Sequence, residues 1–89
     1  MKYRGRTEII EMILEATRAG ATRTKVMYKA YLSYAQVKEY LSFLMQGDLV
    51  TYEEGSQTYR VTEKGLHFLH AYSEIGEMVI PKASKPIEV

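Results

Sequence analysis

Hydrophobic positions recur with helical spacing through the middle of the chain. Three of them follow Ser33 at intervals that place them on one face of a helix: Val37, Leu41 and Leu44. Ser33 is a suitable N-cap, because its hydroxyl can accept from an N–H group that the first turn leaves unpaired. Gly47 stands where a chain leaving a helix often adopts a positive φ. The pattern predicts a helix over residues 33–46, around which the rest of the chain is arranged.

A first helix is predicted near the start of the chain, with Thr7 as its cap. It is expected to run to about Arg18, and Gly20 ends it. Helical spacing also predicts its buried stripe, which consists of Ile9, Ile10, Ile13, Leu14 and Thr17.

A shorter helix is predicted from Thr22 or Thr24 to about Tyr31. Its inward residues are expected to be Val26, Met27 and Ala30. Only residues 31–33 connect this helix to the one that Ser33 begins. Two helices joined by so short a turn indicate a helix-turn-helix.

After Gly47 the periodicity changes from helix to strand. Residues 49–53 and 58–61 are short runs rich in β-branched and aromatic side chains, which favour strands. Residues 54–57, Glu-Gly-Ser-Gln, supply the turn of a hairpin. Three helices followed by a β-hairpin predict a winged helix.

A last helix is predicted to begin at Thr62, and Gly65 in its first turn indicates close backbone packing. Four residues are spaced as in a coiled-coil seam: Phe68, Tyr72, Ile75 and Val79. Leu66 and Leu69 lie to one side of that seam and are expected to face the domain. Since one chain can hardly bury both stripes, a homodimer through this helix is predicted. Pro81 is expected to end the helix.

The predicted fold is mainly α with a β-hairpin, a winged helix-turn-helix with a C-terminal dimerisation helix. We expect a basic arm over residues 1–6, the winged-helix domain over 7–61, the dimerisation helix over 62–80 and an irregular tail over 81–89. The arm contains Lys2, Arg4 and Arg6 and shows no periodicity. It would contact phosphate or a minor groove, or else form a loose, solvated terminus.

Composition narrows the class of protein. A chain of 89 residues is one domain, and 46% hydrophobic residues argue against disorder. No cysteine is present, so disulfides and thiolate metal sites are excluded. No apolar run has the length that a bilayer requires, and no signal peptide opens the sequence. We therefore expect a soluble, cytoplasmic protein.

The net charge of +1 conceals an uneven distribution. Residues 1–38 contain eight Lys or Arg and three Glu, whereas residues 39–89 contain four Lys or Arg and eight Asp or Glu. A basic half beside an acidic half leaves room for one positive face.

Three segments together resemble a known family. They are Thr24–Ala30 with Leu32–Tyr34, Tyr40–Leu44 with Gly47–Leu49, and Tyr59–Leu66, in which Thr-Glu-Lys-Gly is the most specific element. Over roughly residues 5–80 the chain resembles the small archaeal winged-helix proteins that dimerise through a C-terminal helix, which include chromatin-associated DNA binders and presumed transcriptional regulators. The resemblance implies binding of double-stranded DNA as a homodimer, with helix 33–46 in the major groove. The role would be that of a transcriptional regulator or a nucleoid-associated protein.

On that interpretation the first exposed turns of helix 33–46 read bases. Tyr34, Gln36 and Lys38 are the candidates, because Gln can pair with adenine and Lys can reach guanine or a phosphate. Phosphate contacts would fix register without reading sequence. The candidates for those contacts are Arg4, Arg6, Arg23, Lys25, Lys29, Ser33, Ser42, Gln57, Thr58, Arg60 and Lys64. Glu53 and Glu54 would repel phosphate near the tip of the wing, so Gln57 and Thr58 are expected to matter more there.

DNA binding has alternatives. A solvated basic face on a protein-interaction module that binds a partner subunit is the main alternative. His67 and His70, with Glu63 and Glu74, could line a metal site completed by a second chain, but a solvated stripe or a pH-sensitive part of the dimer seam is favoured. No metal, cofactor or small-molecule ligand is predicted. The chain lacks a Cys nucleophile, a Gly-rich phosphate loop and a placed Ser/His/Asp set, so an enzyme is not predicted.

Overall fold

A computed structural model of the chain describes the backbone of residues 4–79 and the side chains of residues 4–72. Four helices and two strands follow one another as α1 (Arg6–Ala16), α2 (Arg23–Lys29), α3 (Tyr34–Gln46), β1 (Val50–Glu53), β2 (Thr58–Val61) and α4 (Glu63–Val79). The predicted fold class, mainly α with a β-hairpin, is confirmed. Residues 1–3 of the expected arm, the helix stop at Pro81 and the tail over 81–89 lie outside the described residues.

The core lies where α1, α2 and α3 meet, and the hairpin closes one side of it. Its fully buried apolar side chains include Ile13, Leu14, Val26, Val37, Leu44 and Val50. Thr17 is also completely buried, and its hydroxyl donates to the Leu14 carbonyl at 3.0 Å. Its own carbonyl accepts from the backbone N–H of Val61 at 3.1 Å. This polar residue therefore joins the end of α1 to β2 without leaving its hydroxyl unpaired in the core.

The hairpin pairs with a third piece of chain that the sequence did not predict. β1 and β2 are antiparallel, with Val50 opposite Val61 and Tyr52 opposite Tyr59. Ala21, just before α2, forms an isolated antiparallel bridge with Tyr59. The two residues exchange N–H···O bonds of 2.9 and 2.7 Å. The bridge fixes the start of α2 against the base of the wing.

Among the first three helices, two of the predicted starts are confirmed and one is wrong. Thr22 accepts from the N–H of Lys25 at 3.2 Å, and Ser33 accepts from the N–H of Gln36 at 3.2 Å. The first helix, however, begins at Arg6 with Gly5 as its cap, not Thr7. The Glu8 carboxylate accepts from the Gly5 N–H at 3.3 Å, so the cap is made from the third helical position. The same helix ends at Ala16, before the expected Arg18.

The positive φ expected at Gly47 falls on the next residue. Gly47 has φ −85°, whereas Asp48 has φ +64°. The N–H of Asp48 donates to the Met45 carbonyl at 3.0 Å, and that of Leu49 to the Leu44 carbonyl at 2.8 Å. These two bonds form a Schellman motif in which Asp48 takes the left-handed position. Aspartate tolerates this conformation better than most residues.

α2 ends in the same way, with a tyrosine in the left-handed position. Tyr31 has φ +54°, its N–H donates to the Tyr28 carbonyl at 3.3 Å, and the N–H of Leu32 donates to the Met27 carbonyl at 3.0 Å. A left-handed conformation is costly for a bulky side chain. The turn of the helix-turn-helix is therefore made without glycine and under backbone strain.

The start of α4 is attached to the end of α3 by several polar contacts. The Thr62 hydroxyl donates to the Asp48 carbonyl at 2.7 Å and accepts from the Gly65 N–H at 3.0 Å, which confirms Thr62 as a cap. The Lys64 ammonium donates to the Gly47 carbonyl at 3.0 Å. A Cβ on Gly65 would stand 2.5 Å from the Leu49 carbonyl oxygen. The Thr-Glu-Lys-Gly element therefore holds the two helices together.

The apolar stripes of α4 are only partly arranged as predicted. Leu69 is buried in the core, as expected, but Leu66 is exposed because it lies at the edge of the contact with α1. Phe68 is half-buried against the core, and its ring is parallel to that of Tyr72, with centroids 6.3 Å apart. The side chains of Ile75 and Val79 lie outside the described residues. The dimer seam stays a prediction.

We expect Gly65→Ala to lower the free energy of unfolding by about 1–3 kcal/mol, because the new methyl would overlap the Leu49 carbonyl and Val61. Gly55→Ala is the matched control, since nothing lies within 4 Å of that position, and its effect should stay within about 0.5 kcal/mol. Urea unfolding of both variants measures the difference. Equal effects would show that Gly65 is not closely packed against Leu49 and Val61.

Replacing Tyr31 by glycine should stabilise the protein. Tyr31→Gly removes the left-handed strain and is expected to raise the free energy of unfolding by about 1 kcal/mol. The same substitution at Tyr28, an exposed residue inside α2, should lower it by about 0.5 kcal/mol, because glycine is a poorer helix former. Thermal and urea unfolding test the opposite signs. A loss of stability at both positions would contradict the strained turn.

Glu11 should make stability depend on pH. Partial burial raises the pKa of the Glu11 carboxyl, and the neighbouring Glu15 and Glu8 raise the pKa further. The folded state therefore holds this proton to a higher pH than the unfolded state, and the ionised carboxylate opposes folding at neutral pH. We expect Glu11→Gln to stabilise the protein at pH 7. The gain should shrink as the pH falls through the raised pKa and vanish below the ordinary glutamate range. A gain that is independent of pH in urea titrations would argue against this origin.

Candidate nucleic-acid interface

The outward side of α3 presents polar side chains, as the sequence predicts. Tyr34, Gln36, Lys38 and Ser42 are all exposed. Gln36 also closes a capping box, because its amide oxygen accepts from the Ser33 N–H at 3.0 Å. This bond uses one of the two lone pairs of the oxygen and leaves the NH2 group outside the capping box. A bidentate contact with adenine would use the NH2 group and the second lone pair of the oxygen.

A shallow groove follows the middle of this face. It has a volume of about 440 Å³ and is lined by Ala35, Gln36, Lys38, Glu39 and Ser42. Lys38 and Glu39 are neighbours in the chain. The groove therefore combines a positively charged hydrogen-bond donor with a negatively charged hydrogen-bond acceptor. This combination of groups can form hydrogen bonds to base edges.

The cations of α2 have different surroundings. The Arg23 guanidinium carbon lies 5.2 Å from the centre of the Tyr34 ring, which joins α2 to the start of α3. Lys25 is exposed on the same helix. Lys29 lies instead beside Glu11 and Glu15, where it lines a cleft of about 390 Å³ between α2 and α1. Arg23 therefore places its positive charge next to α3, whereas Lys29 lies beside two carboxylates of α1.

Arg4 and Arg6 pack onto the domain. Arg4 donates to the backbone carbonyls of Ala30 and Tyr31, the latter at 2.8 Å, and lies 6.0 Å from the Tyr31 ring centre. The Arg6 guanidinium lies 5.6 Å from the ring centres of both Tyr40 and Phe43. Arg4 thus supplies hydrogen bonds at the C-terminal end of α2, where the helix dipole favours a cation.

An ion pair reduces the charge of the wing. The Arg60 Nε donates to the Glu53 carboxylate at 3.2 Å, and the Ser56 hydroxyl donates to the same side chain at 3.4 Å. The repulsion expected from Glu53 is therefore partly cancelled by Arg60, whereas Glu54 is exposed at the tip. Both partners of the pair are about half-exposed, so its contribution to stability is small.

A cleft between α2 and the wing was not predicted from the sequence. It has a volume of about 280 Å³ and is lined by Thr22, Arg23, Thr24, Tyr52, Gln57 and Tyr59. The rings of Tyr52 and Tyr59 lie 4.8 Å apart and are tilted by 48°. Gln57, a predicted phosphate contact, and Arg23 thus line one cavity. Their proximity depends on the bridge between Ala21 and Tyr59, and a single bridging residue has no signature in the sequence.

The described residues hold no group of three or more His, Asp or Glu side chains that could bind a metal ion. His67, His70 and Glu63 are exposed on α4, and the side chain of Glu74 lies outside the described part of the chain. Within the same part, no helix is long and apolar enough to cross a bilayer.

Comparison with known proteins identifies the family. Residues 3–79 match the profile of a family described as winged helix-turn-helix. A search of curated proteins found no match. Among solved structures the chain is similar to Sso10a-2, a DNA-binding protein from Sulfolobus solfataricus, with a TM-score of 0.74 and 26% sequence identity. The alignment covers 91% of this chain and 87% of that one.

The match confirms the resemblance to small archaeal winged-helix DNA-binding proteins that the sequence predicts. It spans α1 to α4, so it includes the helix-turn-helix, the wing and the element that attaches α4 to α3. By sequence and by fold, the chain belongs to the winged helix-turn-helix family.

Proposed function

We propose that the protein binds double-stranded DNA through α3. The observation that supports this most directly is the exposed polar face of α3 next to Arg23 of α2, in a fold similar to that of a DNA-binding protein. A helix of this kind fits the major groove, where each base pair presents a distinct pattern of donors and acceptors. The bases would be read by Tyr34, Gln36 and Lys38.

Phosphate contacts would come first from α2 and from the flank of α3. Arg23 lies beside the start of α3, Lys25 is exposed elsewhere on α2, and Ser42 lies further along the exposed face of α3. Such contacts orient the helix without reading sequence. On the wing, Gln57 and Thr58 would reach the backbone more readily than Glu54, whose charge repels it.

Four other cationic candidates have partners within the domain. Arg4 and Lys64 donate to backbone carbonyls, Arg60 pairs with Glu53, and Arg6 lies over two aromatic rings. A phosphate contact by any of them would have to replace or share such an interaction. We therefore assign them a smaller share of the affinity for DNA than Lys25 and Lys38.

We further propose that the protein acts as a homodimer through α4. Phe68 and Tyr72 are only half-buried in one chain, and their stacked rings begin the seam that Ile75 and Val79 continue in the sequence. A dimer would place two α3 helices on one duplex. Such a protein would work at the nucleoid in the cytoplasm, either as a transcriptional regulator or as a packaging protein.

The test is a salt titration of binding to a random duplex and to a duplex selected from a pool. A steep loss of affinity with salt is expected for both, because cations that contact phosphates displace condensed counterions. A selected site bound about a thousandfold more tightly would indicate a regulator, and equal binding would indicate a packaging protein. If neither duplex binds at low salt, the proposal fails and a protein-interaction module becomes the better explanation.

Lys25 and Lys64 allow a matched comparison. Lys25 is a proposed phosphate contact, whereas Lys64 donates a hydrogen bond within the domain. We expect Lys25→Gln to weaken binding and to reduce the slope of log affinity against log salt by about 0.9. Lys64→Gln should lower thermal stability, because it removes the bond to the Gly47 carbonyl, while the slope changes little. The reverse pattern would show that Lys64 faces the phosphate backbone in the complex.

A further inference from the structure

Tyrosines are prominent among the large hydrophobic side chains that the described domain exposes. Tyr31 is 76% exposed, Tyr28 71%, Tyr34 57% and Tyr52 41%. In a duplex the bases are stacked on one another, so their faces are not accessible for stacking on tyrosine rings. The proposed contacts in the major groove use base edges and phosphates, and they leave this aromatic surface largely unused.

Tyr52 and Tyr34 both lie near Arg23. Tyr52 lines the cleft between α2 and the wing, Arg23 lines the same cleft, and the Arg23 guanidinium lies 5.2 Å from the Tyr34 ring centre. The other residues that line the cleft supply two hydroxyls from Thr22 and Thr24 and one amide from Gln57. None of the described residues that line it carries a carboxylate. Rings, a guanidinium and neutral hydrogen-bonding groups thus surround one cavity.

The shape of the cleft is fixed by main-chain bonds. The Ala21–Tyr59 bridge, with N–H···O distances of 2.9 and 2.7 Å, holds the start of α2 against β2. The register of the hairpin then places Tyr52 directly opposite Tyr59. A ligand would therefore meet a cavity that is already formed, which reduces the cost of ordering on binding. A volume of about 280 Å³ is at the lower limit for ligand sites, so a single planar group is the appropriate occupant.

We infer that this cleft binds an unpaired nucleotide, so that the protein also binds single-stranded nucleic acid. The base would stack on Tyr52 at the mouth of the cleft, the phosphate would contact Arg23, and the hydroxyls and the amide would form hydrogen bonds with the nucleotide. Aromatic stacking beside cations is the usual way in which proteins bind single strands without sequence preference. The neighbouring Tyr34 would provide a second stacking surface across Arg23. This activity is additional to the proposed binding of duplex DNA.

The experiment measures the affinity of the full chain for fluorescent oligo-dT, oligo-U and a random duplex in the same buffer. Wild-type protein should bind both single strands, and the two strands distinguish DNA from RNA as the better ligand. Tyr52→Phe retains the ring and should leave single-strand affinity within about twofold. Tyr52→Thr retains a hydroxyl and a β-branched residue suited to the strand, yet removes the ring, and should lower that affinity by about tenfold. Neither change should alter affinity for the duplex by more than about twofold.

Tyr28→Ala is the control for exposed tyrosine outside the cleft, because Tyr28 does not line it. It should leave single-strand affinity unchanged. Thermal unfolding of each variant identifies any variant that is partly unfolded at the assay temperature. If Tyr52→Thr is one of these, the single-strand affinity of Tyr52→Phe is compared with that of the wild-type protein instead.

Three outcomes would overturn the inference. The first is no binding to either single strand while the duplex is bound, which would leave the proposed function intact. The second is an equal loss with Tyr28→Ala and Tyr52→Thr, which would place stacking outside the cleft. The third is an equal loss with Tyr52→Phe and Tyr52→Thr, which would show that the hydroxyl acts and the ring does not. If the wild-type protein does not bind the duplex, that result would instead contradict the proposed function.

Discussion

The orientation of α3 depends on how its C-terminal end is held. The chain leaves this helix through a left-handed Asp48, and the start of α4 then binds the same turn through Thr62, Lys64 and the close approach of Gly65. The last carbonyls of a helix need partners from outside it. Here Asp48 and Leu49 supply two of those partners, and Lys64, in the helix through which dimerisation is proposed, supplies the partner of the Gly47 carbonyl. The direction of α3 and the direction of α4 are therefore set by one group of bonds.

The sequence predicts the elements well because their signals are local. Apolar spacing gives α1 to α3, and Thr22, Ser33 and Thr62 are caps that can be recognised within four residues. The bridge between Ala21 and Tyr59 was missed, since it joins single residues far apart in the chain. The positive φ was assigned to Gly47 instead of Asp48 because composition indicates a left-handed turn without fixing the last helical residue.

The sequence shows how many cations the chain carries but not which of them are available to a ligand. The sequence shows a basic first half, but it cannot show that Arg4 reaches the end of α2 or that Lys64 reaches the end of α3. Those contacts join residues that are 27 and 17 positions apart. Long, flexible side chains leave no periodic trace, so the share of positive charge available to a ligand becomes apparent only in the fold. The cleft at Arg23 was missed for a different reason, since it depends on the bridge between Ala21 and Tyr59.

Arg4 and Lys64 act at equivalent places, and this explains why a cation at such a position is a poor phosphate contact. Each donates to a carbonyl at the end of a helix, and the residue after the C-cap, Tyr31 or Asp48, has a left-handed conformation. If either turned toward a phosphate, the carbonyl would lose its partner, and the gain would be only the difference between two charge-assisted hydrogen bonds. Lys25 on the exposed face gives up only water and counterions. The affinity for a nucleic acid should therefore depend on the cations that the fold itself does not use.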